Sequence, residues 1–377
     1  MNIPKFDLTY LSIDSIQEGV GASQITPLIL GLASIGKRVC LISFEKVKPE
    51  DDLIKQFKRA GVEWNPREFG KVGALAGILR LNELRKHVPI SDVLHGRSDI
   101  PTAAAIWSKI DAPVLWDVRS LWSDQRKLIG TSGWNQLTAR GARTLENVSA
   151  NNASAMTTLT SAVIPILEKR HSKLPIIREV IPTCVQTSKF IPTPMPQGQL
   201  VCLLSGTFNN YYDIERTRQI ISAIRKSINL RVIWARAGEA PAISLGVGED
   251  LVIRATHSQM PNLVANAHFG MAICKEDHLE SLAAAVPTKI GEFLASGRPV
   301  IVSRGVGDME VLLKSSNAGI TIGHNESLSQ IGEQISSLVI DHGVEERCRA
   351  LAIEHFDMSK AIVSYSRIYS QMIGGSQ

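Results

Sequence analysis

The chain has 377 residues, 44% of them hydrophobic and 20% charged, which is typical of a globular protein with more than one hydrophobic core. No run of about 18 apolar residues occurs, so no membrane-spanning helix is expected. The net charge of +5 comes from the first half, because residues 1–186 carry 24 Lys and Arg against 18 Asp and Glu. No basic run is interleaved with aromatic residues, so nucleic-acid binding is not expected. The five cysteines show no Cys-x-x-Cys spacing, which indicates reduced thiols and no zinc site.

The start of the chain and its charge bear on where the protein works. Residues 1–7 do not place a basic segment before a long apolar stretch, so a cytoplasmic location is expected. The basic first half could lie against anionic lipid headgroups at the inner face of the membrane, or receive an acidic acceptor. An ordinarily solvated surface is the alternative.

The chain opens with the pattern of a βαβ unit. Residues 9–13 and 38–44 read as buried strands, residues 18–24 as a glycine loop, and residues 25–35 as a helix closed by Gly36. The crossover between two such parallel strands is expected to be right-handed.

The remaining elements repeat the alternation of strands and helices twice. In the first half, further strands are predicted around residues 93–95, 114–117, 155–159 and 178–186. The Pro-rich residues 191–198 predict a linker between two domains. Strands are predicted again in the second half at residues 200–205, 230–234, 270–274, 299–303 and 318–322. The sequence therefore predicts an α/β protein with two doubly wound, Rossmann-like domains facing a cleft.

The most informative motif is Pro287-Thr-Lys-Ile-Gly-Glu292, which comes before an apolar helix and a β-branched strand. Pro287 fixes the loop, and Thr288 and Lys289 occupy the first helical turn, where the positive end of the dipole attracts phosphate. Glu292 lies three residues after Lys289, on about the same helix face, where a carboxylate can accept hydrogen bonds from a ribose diol. A surface ion pair between Lys289 and Glu292 is the alternative.

This motif, continued by Phe-Leu-Ala-Ser-Gly-Arg-Pro-Val-Ile301, resembles the nucleotide-sugar clamp of retaining GT-B glycosyltransferases, especially bacterial members of family four. The resemblance extends over nearly the whole chain. It implies a first, acceptor-side domain of residues 1–186, a nucleotide-sugar-binding domain of residues 187–356, and a final helix at residues 357–377 that crosses back to the first domain.

The resemblance and the residue types together point to two candidate clusters in the first domain. Gly21 and Ser23 belong to the loop that faces the donor phosphates in the resembled family; a plain tight turn is the alternative. Asp117 and Arg119 follow a strand, where Asp117 could hold sugar hydroxyls and Arg119 could neutralise charge on the leaving phosphate. An ion pair of Arg119 with Asp117 or Asp124 that only fixes the loop is equally compatible with the pattern.

In the second domain, Gly206 and Thr207 follow a strand and are expected to contact the donor; a helix entry capped by Asp213 is the alternative. The chain departs from the resembled family here, because Tyr211 and Tyr212 stand where a Lys-Gly pair is common. A second departure is Ala284, which replaces the first glutamate of the usual pair that ends at Glu292; Glu280 or Glu276 of the same loop could compensate. Lys289 would therefore carry more of the phosphate charge, with Asp117 and Arg119 as the other catalytic candidates.

The resemblance implies transfer of a sugar from a nucleotide-sugar such as a UDP- or GDP-sugar to a glycan, lipid-linked or other acceptor. It implies retention at the anomeric carbon, no cofactor and no metal ion, and a role in the synthesis of cell-surface polysaccharide or glycoconjugates. A nucleotide-sugar epimerase of the same fold is one alternative. A non-catalytic GT-B partner protein is another, and the absence of donor hydrolysis or transfer by the purified protein would distinguish it.

The last predicted element is a helix with an apolar stripe. Ile362, Tyr365, Tyr369 and Met372 recur at helical spacing. The stripe is expected to pack on the first domain; a helix that completes the second domain is the alternative.

Overall fold

The computed structural model describes residues 5–70, 74–127, 133–206, 211–236, 251–276 and 279–375. The chain divides into two units, of which the first combines Met1–Pro182 with Met358–Gln377 and the second is Thr183–Asp357. Along the described ranges, no helix combines the length and the apolar character needed to cross a membrane.

The first unit is built around a seven-stranded sheet in which all neighbouring strands are parallel. Its strands are β1 (Phe6–Leu11), β2 (Val39–Glu45), β3 (Glu63–Glu68), β4 (Ser91–Arg97), β5 (Val114–Val118), β6 (Ala155–Thr158) and β7 (Ile177–Val180). Its helices are α1 (Thr26–Ser34), α2 (Asp51–Arg59), α3 (Ala74–His87), α4 (Asp99–Ile106), α5 (Trp122–Lys127), α6 (Gly133–Asn152), α7 (Ile164–Arg170) and α15 (Met358–Gly374). The strand order is β3-β2-β1-β4-β5-β6-β7.

The second unit is built around a six-stranded sheet that is also parallel, with the order β10-β9-β8-β11-β12-β13. Its strands are β8 (Leu200–Ser205), β9 (Leu230–Arg236), β10 (Leu251–Arg254), β11 (Phe269–Ala272), β12 (Val300–Ser303) and β13 (Gly319–Ile322). Its helices are α8 (Ile214–Arg225), α9 (Met260–Ala265), α10 (Leu279–Ala283), α11 (Thr288–Ala295), α12 (Met309–Ser316), α13 (Ile331–Ile340) and α14 (Val344–His355). The two parallel sheets confirm the predicted α/β, Rossmann-like fold class.

Burial explains why the central strands form where they do. Every residue of β2 is buried, because helices cover both faces of a parallel sheet and its strands read as continuous apolar runs. β3, at the edge of the first sheet, differs, since its sequence Glu-Trp-Asn-Pro-Arg-Glu is polar and contains Pro66. A proline is tolerated in β3 because the strand lies at the edge of the sheet.

The strand orders place a topological switch point in each unit. β1 lies between β2 and β4 in the first sheet, and β8 lies between β9 and β11 in the second. Ligands of open α/β sheets bind beyond the carboxyl ends of the strands at such points. A ligand site is therefore expected in the segments after β1 and β4 and in those after β8 and β11.

The predicted linker at residues 191–198 is wrong, because the first unit ends at Pro182 and this segment lies within the second unit. Arg298 donates hydrogen bonds to the carbonyl and hydroxyl oxygens of Thr193 at 3.0 and 2.7 Å. The backbone N–H of Met195 donates to Glu345 at 2.9 Å. A run of prolines marks irregular backbone, but irregular backbone can be tightly bound to the unit that it crosses.

The final helix, α15, packs against α1, β4 and β7 of the first unit. The contact with α1 is close, because a Cβ atom at Gly31 would lie 2.1 Å from Cδ1 of Ile362. The buried face of α15 consists of Met358, Ala361, Tyr365, Ile368, Tyr369 and Met372. Tyr365, Tyr369 and Met372 of the predicted stripe lie on this buried face, and Ile362 is partly buried beside Gly31 of α1.

Candidate functional site

The first candidate cluster lies at the carboxyl ends of β4 and β5 and in the segments that follow β1 and β5. We call it the first-unit cluster: Gln24, His95, Arg97, Asp117 and Arg119. Asp117 is 1% exposed, and its Oδ1 accepts a hydrogen bond from the Thr157 hydroxyl at 3.0 Å. Burial raises the pKa of Asp117, but Arg119, His95 and Arg97 together outweigh that effect and hold the pKa below its usual value. Asp117 is therefore an enclosed carboxylate anion.

Two arginines of this cluster converge on one neutral oxygen. Arg97 and Arg119 both donate to Oε1 of Gln24, at 2.9 and 2.6 Å. Arg119 also lies 3.5 Å from Asp117, and Arg97 donates to Asp14 at 3.1 Å. Asp117 and Arg119 are thus brought together, as one of the two ion-pair interpretations expected.

The other ion-pair interpretation, Arg119 with Asp124, is not what the structure shows. Asp124 lies 2.7 Å from Arg170 and 3.5 Å from Arg143. Arg119 and Asp124 are only five residues apart in the sequence, so the spacing alone could not distinguish the two pairings.

His95 joins the final helix to this cluster. It is fully buried, its Nδ1 lies 2.7 Å from the Tyr369 hydroxyl, and its Nε2 lies 3.3 Å from Oδ2 of Asp117. Burial lowers the pKa of His95, which favours the neutral form of the ring, although the neighbouring Asp117 carboxylate acts in the opposite direction. The Tyr365 hydroxyl donates to Asp117 at 3.4 Å. The sequence predicted the stripe that carries both tyrosines but not these polar contacts.

The predicted glycine loop at residues 18–24 is wrong in form, because Gly21–Ile25 is a π-helical turn that leads directly into α1. The backbone N–H of Thr26 reaches back to the carbonyl oxygen of Gly21, while Pro27 offers no N–H. A Cβ atom at Gly21 would lie 1.9 Å from the carbonyl oxygen of Ser15, so only glycine fits. The Ser23 hydroxyl donates to the carbonyl oxygens of Gly19 and Val20 at 3.1 and 3.3 Å. A donor-binding role for Gly21 and Ser23 stays a prediction.

The second candidate cluster belongs to the second unit, and we call it the α11 cluster: Gly206, Tyr212, Cys274, Lys289 and Glu292. Gly206 follows β8 with φ +86°, its N–H donates to Ala235 O at 2.9 Å, and its carbonyl oxygen accepts from the Trp234 indole at 3.0 Å. A Cβ atom at Gly206 would lie 3.8 Å from the Lys289 ammonium. The structure therefore brings Gly206 beside Lys289, while Thr207 lies outside the described residues.

Helix α11 places the other predicted donor-binding residues. Thr288 is its first residue, and Lys289 and Glu292 follow within the first turn and a half. The positive end of the helix dipole therefore lies beside the Lys289 backbone. Pro287 precedes the helix with an extended ψ of 126°, as the sequence predicted from the proline-led loop.

Burial shifts the pKa of both ionisable groups of α11. Glu292 is only 7% exposed, and burial raises its pKa to about 7, although the charge of Lys289 opposes the shift. Burial likewise lowers the pKa of Lys289 to about 8, while the Cys274 and Glu292 side chains act in the opposite direction. A carboxylate this deeply buried is not part of a surface ion pair, so that alternative is wrong.

The missing glutamate at position 284 leaves no polar side chain in its place. Ala284 is buried, and the nearby Glu276 accepts a hydrogen bond from the backbone N–H of His324 at 2.6 Å. Glu276 is therefore committed to a turn contact. Of the predicted carboxylates, Glu292 is the one that lies on α11 beside Lys289.

No protein-family model matches the sequence. A search of curated proteins likewise found no match. Among solved structures, the chain is similar to sucrose-phosphate synthase from Thermosynechococcus elongatus, with a TM-score of 0.74 and 12% identity over 98% of this chain and 99% of that one. It is also similar to WaaG, a glycosyltransferase involved in lipopolysaccharide biosynthesis, with a TM-score of 0.68 and 14% identity over 96% of this chain and 99% of that one.

A third similar structure is the N-terminal domain of Candida albicans trehalose-6-phosphate phosphatase, with a TM-score of 0.67 and 9% identity over 98% of each chain. At such low identities these likenesses concern the fold and not the reaction. The conclusion they support is that this chain has the fold of the GT-B glycosyltransferases.

Proposed function

We propose that the protein is a glycosyltransferase that takes a sugar from a nucleotide-sugar donor, such as a UDP- or GDP-sugar, and attaches it to a glycan or lipid-linked acceptor. The observation that carries the proposal is the α11 cluster, in which a half-buried lysine at a helix start lies beside a glycine turn and one turn from a buried carboxylate. A diphosphate needs a cation and a helix start, and a ribose diol needs an acceptor such as Glu292. The similarity to WaaG, which is itself a glycosyltransferase, supports the reaction class.

In the proposed reaction, the bond between the anomeric carbon and the β-phosphate oxygen breaks, and its electron pair leaves with the nucleoside diphosphate. The acceptor hydroxyl oxygen forms the new bond to the anomeric carbon, and its proton passes to an oxygen of the departing diphosphate. Lys289 and the start of α11, without a metal ion or other cofactor, would stabilise the charge on the departing diphosphate. Retention of anomeric configuration is part of the proposal, and the resemblance to retaining enzymes supports it.

Further parts of the proposal concern the surroundings of the reaction. The first unit would receive the acceptor, with the first-unit cluster at its switch point holding Asp117 and Arg119 in place. The basic residues of the first half would hold the protein at the inner face of the membrane, where lipid-linked acceptors of cell-surface polysaccharide are made. WaaG, which acts in lipopolysaccharide biosynthesis, supports this choice of pathway.

A screen of donors tests the proposal directly. UDP-, GDP-, CMP- and ADP-sugars are compared by thermal shift, and donors that raise the melting temperature are then tested for hydrolysis and for transfer to glycan acceptors. Proton NMR of the product reports its anomeric configuration. Binding without hydrolysis or transfer would favour a non-catalytic partner protein, and conversion of the donor sugar to its epimer would favour an epimerase.

Glu292→Gln is expected to weaken nucleoside diphosphate binding by about 1.5–3 kcal/mol, because it keeps the size but removes the charge that strengthens hydrogen bonds to the ribose. Isothermal titration calorimetry with UDP and GDP measures the loss. Glu310→Gln is the matched control and is expected to change nothing, because Glu310 is a half-exposed carboxylate of α12 that pairs with Arg304. Equal affinity of the Glu292→Gln and wild-type proteins would contradict the ribose assignment.

Nucleoside diphosphate affinity is expected to be greatest between about pH 7 and 8. The pKa of Glu292 is raised to about 7, so its charge is lost as the pH falls below that value. The pKa of Lys289 is lowered to about 8, so its charge is lost as the pH rises above that value. In UDP titrations by calorimetry from pH 6.5 to 9.5, Lys289→Arg should extend binding to higher pH. An unchanged alkaline limb in that variant would contradict the role of Lys289.

A further inference from the structure

The ammonium group of Lys289 lies on an aromatic ring. Its Nζ is 4.2 Å from the centroid of the Tyr212 ring, within the range of a cation–π interaction. Gly206 flanks the same ammonium, since a Cβ atom there would lie 3.8 Å from it. The ring and the glycine turn therefore form two walls around the end of the lysine side chain.

The backbone fixes the position of this ring. The N–H of Asp213 donates to Ile273 O at 3.0 Å, and the N–H of Lys275 donates to Tyr211 O at 3.1 Å. Between these bonds Tyr212 forms an antiparallel bridge with Cys274, just beyond β11. Asp213 in turn caps α8 by accepting from the N–H of Arg216 at 2.8 Å. The segment that carries the ring is thus bound on both sides of Tyr212.

The ring acts through its face and not through a charge. Burial raises the pKa of Tyr212, with a smaller contribution from the Cys274 thiol, so the phenol stays neutral at physiological pH. A lysine has a flexible four-carbon stem and loses rotamer freedom when its ammonium is held in one place. A fixed aromatic face supplies part of that restraint before any ligand arrives.

We propose that Tyr212 is a positioning residue, whose ring face holds the Lys289 ammonium beside Gly206 in the place where the donor diphosphate binds. This inference rests on the proposed function, because the diphosphate is the ligand that Lys289 would meet. The aromatic face is what matters, so phenylalanine should replace Tyr212 and an aliphatic side chain should not.

The first experiment measures binding of UDP and GDP by calorimetry. Tyr212→Leu is expected to weaken affinity about five- to tenfold, and Tyr212→Phe to stay within about twofold of wild type. Tyr211→Phe is the matched control, because its hydroxyl donates to Ser281 O at 3.1 Å and the substitution leaves Tyr212 and its ring in place. In a Lys289→Met background, Tyr212→Leu should add less than about a twofold loss, since the positioned cation is already absent.

Two outcomes of this experiment would overturn the inference. One is a loss in Tyr212→Phe as large as that in Tyr212→Leu, which would assign the effect to the hydroxyl. The other is an equal loss from Tyr212→Leu with and without Lys289, which is the signature of a merely structural residue. Thermal melts of each variant establish that the compared proteins are folded.

The second experiment does not depend on any nucleotide. In protein labelled with 13C at lysine Cε, the Lys289 signal, assigned with Lys289→Arg, should be displaced by the ring current of Tyr212. The displacement should persist in Tyr212→Phe and vanish in Tyr212→Leu. A Lys289 signal at the same position in the wild type, Tyr212→Phe and Tyr212→Leu would overturn the inference even if UDP binds. A protein that binds no nucleoside diphosphate but shows the displacement would instead overturn the proposed function.

Discussion

Lys289→Ala is expected to lower the turnover number for sugar transfer by about 100-fold or more, not merely to raise KM. The negative charge on the diphosphate grows as the bond to the sugar breaks, so a cation beside it stabilises the transition state more than the bound donor. The half-buried position of Lys289 strengthens this effect, because the surroundings that lower its pKa also screen its charge less than water would.

Steady-state kinetics at saturating donor measures the effect, once a donor and acceptor have been found by the screen. Lys314→Ala is the matched control, because Lys314 is an exposed lysine in the last turn of another helix of the same unit. The Lys289→Ala protein should also melt at a temperature close to that of the wild type. A normal turnover number at saturating donor would show that Lys289 does not stabilise the transition state and has only a structural role.

Residues of the α11 cluster could be predicted to lie together only where they are close in the sequence. Thr288, Lys289 and Glu292 lie within one helix, so their common face followed from helical spacing alone. The contact between Lys289 and Tyr212 joins two segments far apart in the sequence, and no periodic pattern connects them. From the sequence, Tyr212 was notable only because it replaces part of the Lys-Gly pair that is common in the resembled family.

The first-unit cluster shows the same limit more strongly. An ion pair of Asp117 with Arg119 was one of two pairings compatible with the sequence, and these two side chains do lie together. His95 and Tyr369 are 274 residues apart, and their hydrogen bond depends on how α15 packs against β4. The apolar stripe on α15 predicted that the helix would be buried, but only the packed structure shows which polar group each tyrosine meets.

Central strands could be predicted because a strand that is buried on both faces consists mainly of apolar residues, as β2 does. Polar edge strands such as β3 could not, because an edge strand keeps one side in solvent and even accommodates Pro66. The π-helical turn at Gly21–Ile25 was likewise missed, since its glycine-rich sequence is equally typical of a loop. The close approach of Gly21 to Ser15, which requires a glycine, is a tertiary constraint.

Deleting residues 358–377 is expected to unfold the first unit. The helix α15 buries five large side chains, those of Met358, Tyr365, Ile368, Tyr369 and Met372. Burial of each contributes about 1.5–3 kcal/mol, so their loss is on the order of 10 kcal/mol and comparable to the whole stability of a domain. The deletion would also expose His95, which the structure buries completely.

The expected result is a protein without sugar transfer whose first unit is digested rapidly in limited proteolysis, while residues 183–357 are cleaved more slowly. UDP affinity measured by calorimetry should persist, because the α11 cluster lies wholly in the second unit. Tyr369→Phe is the milder variant: it removes only the hydroxyl that shares a hydrogen bond with Nδ1 of His95 and should cost about 1–3 kcal/mol by leaving that buried nitrogen unpaired. Val363 also lies on α15 but is 65% exposed, so Val363→Ala is the control and should leave stability and transfer unchanged. Wild-type transfer and an intact first unit in the truncated protein would contradict this expectation. The helix α15 would then not be needed for folding, and the contacts from Tyr369 through His95 to Asp117 would have no part in transfer.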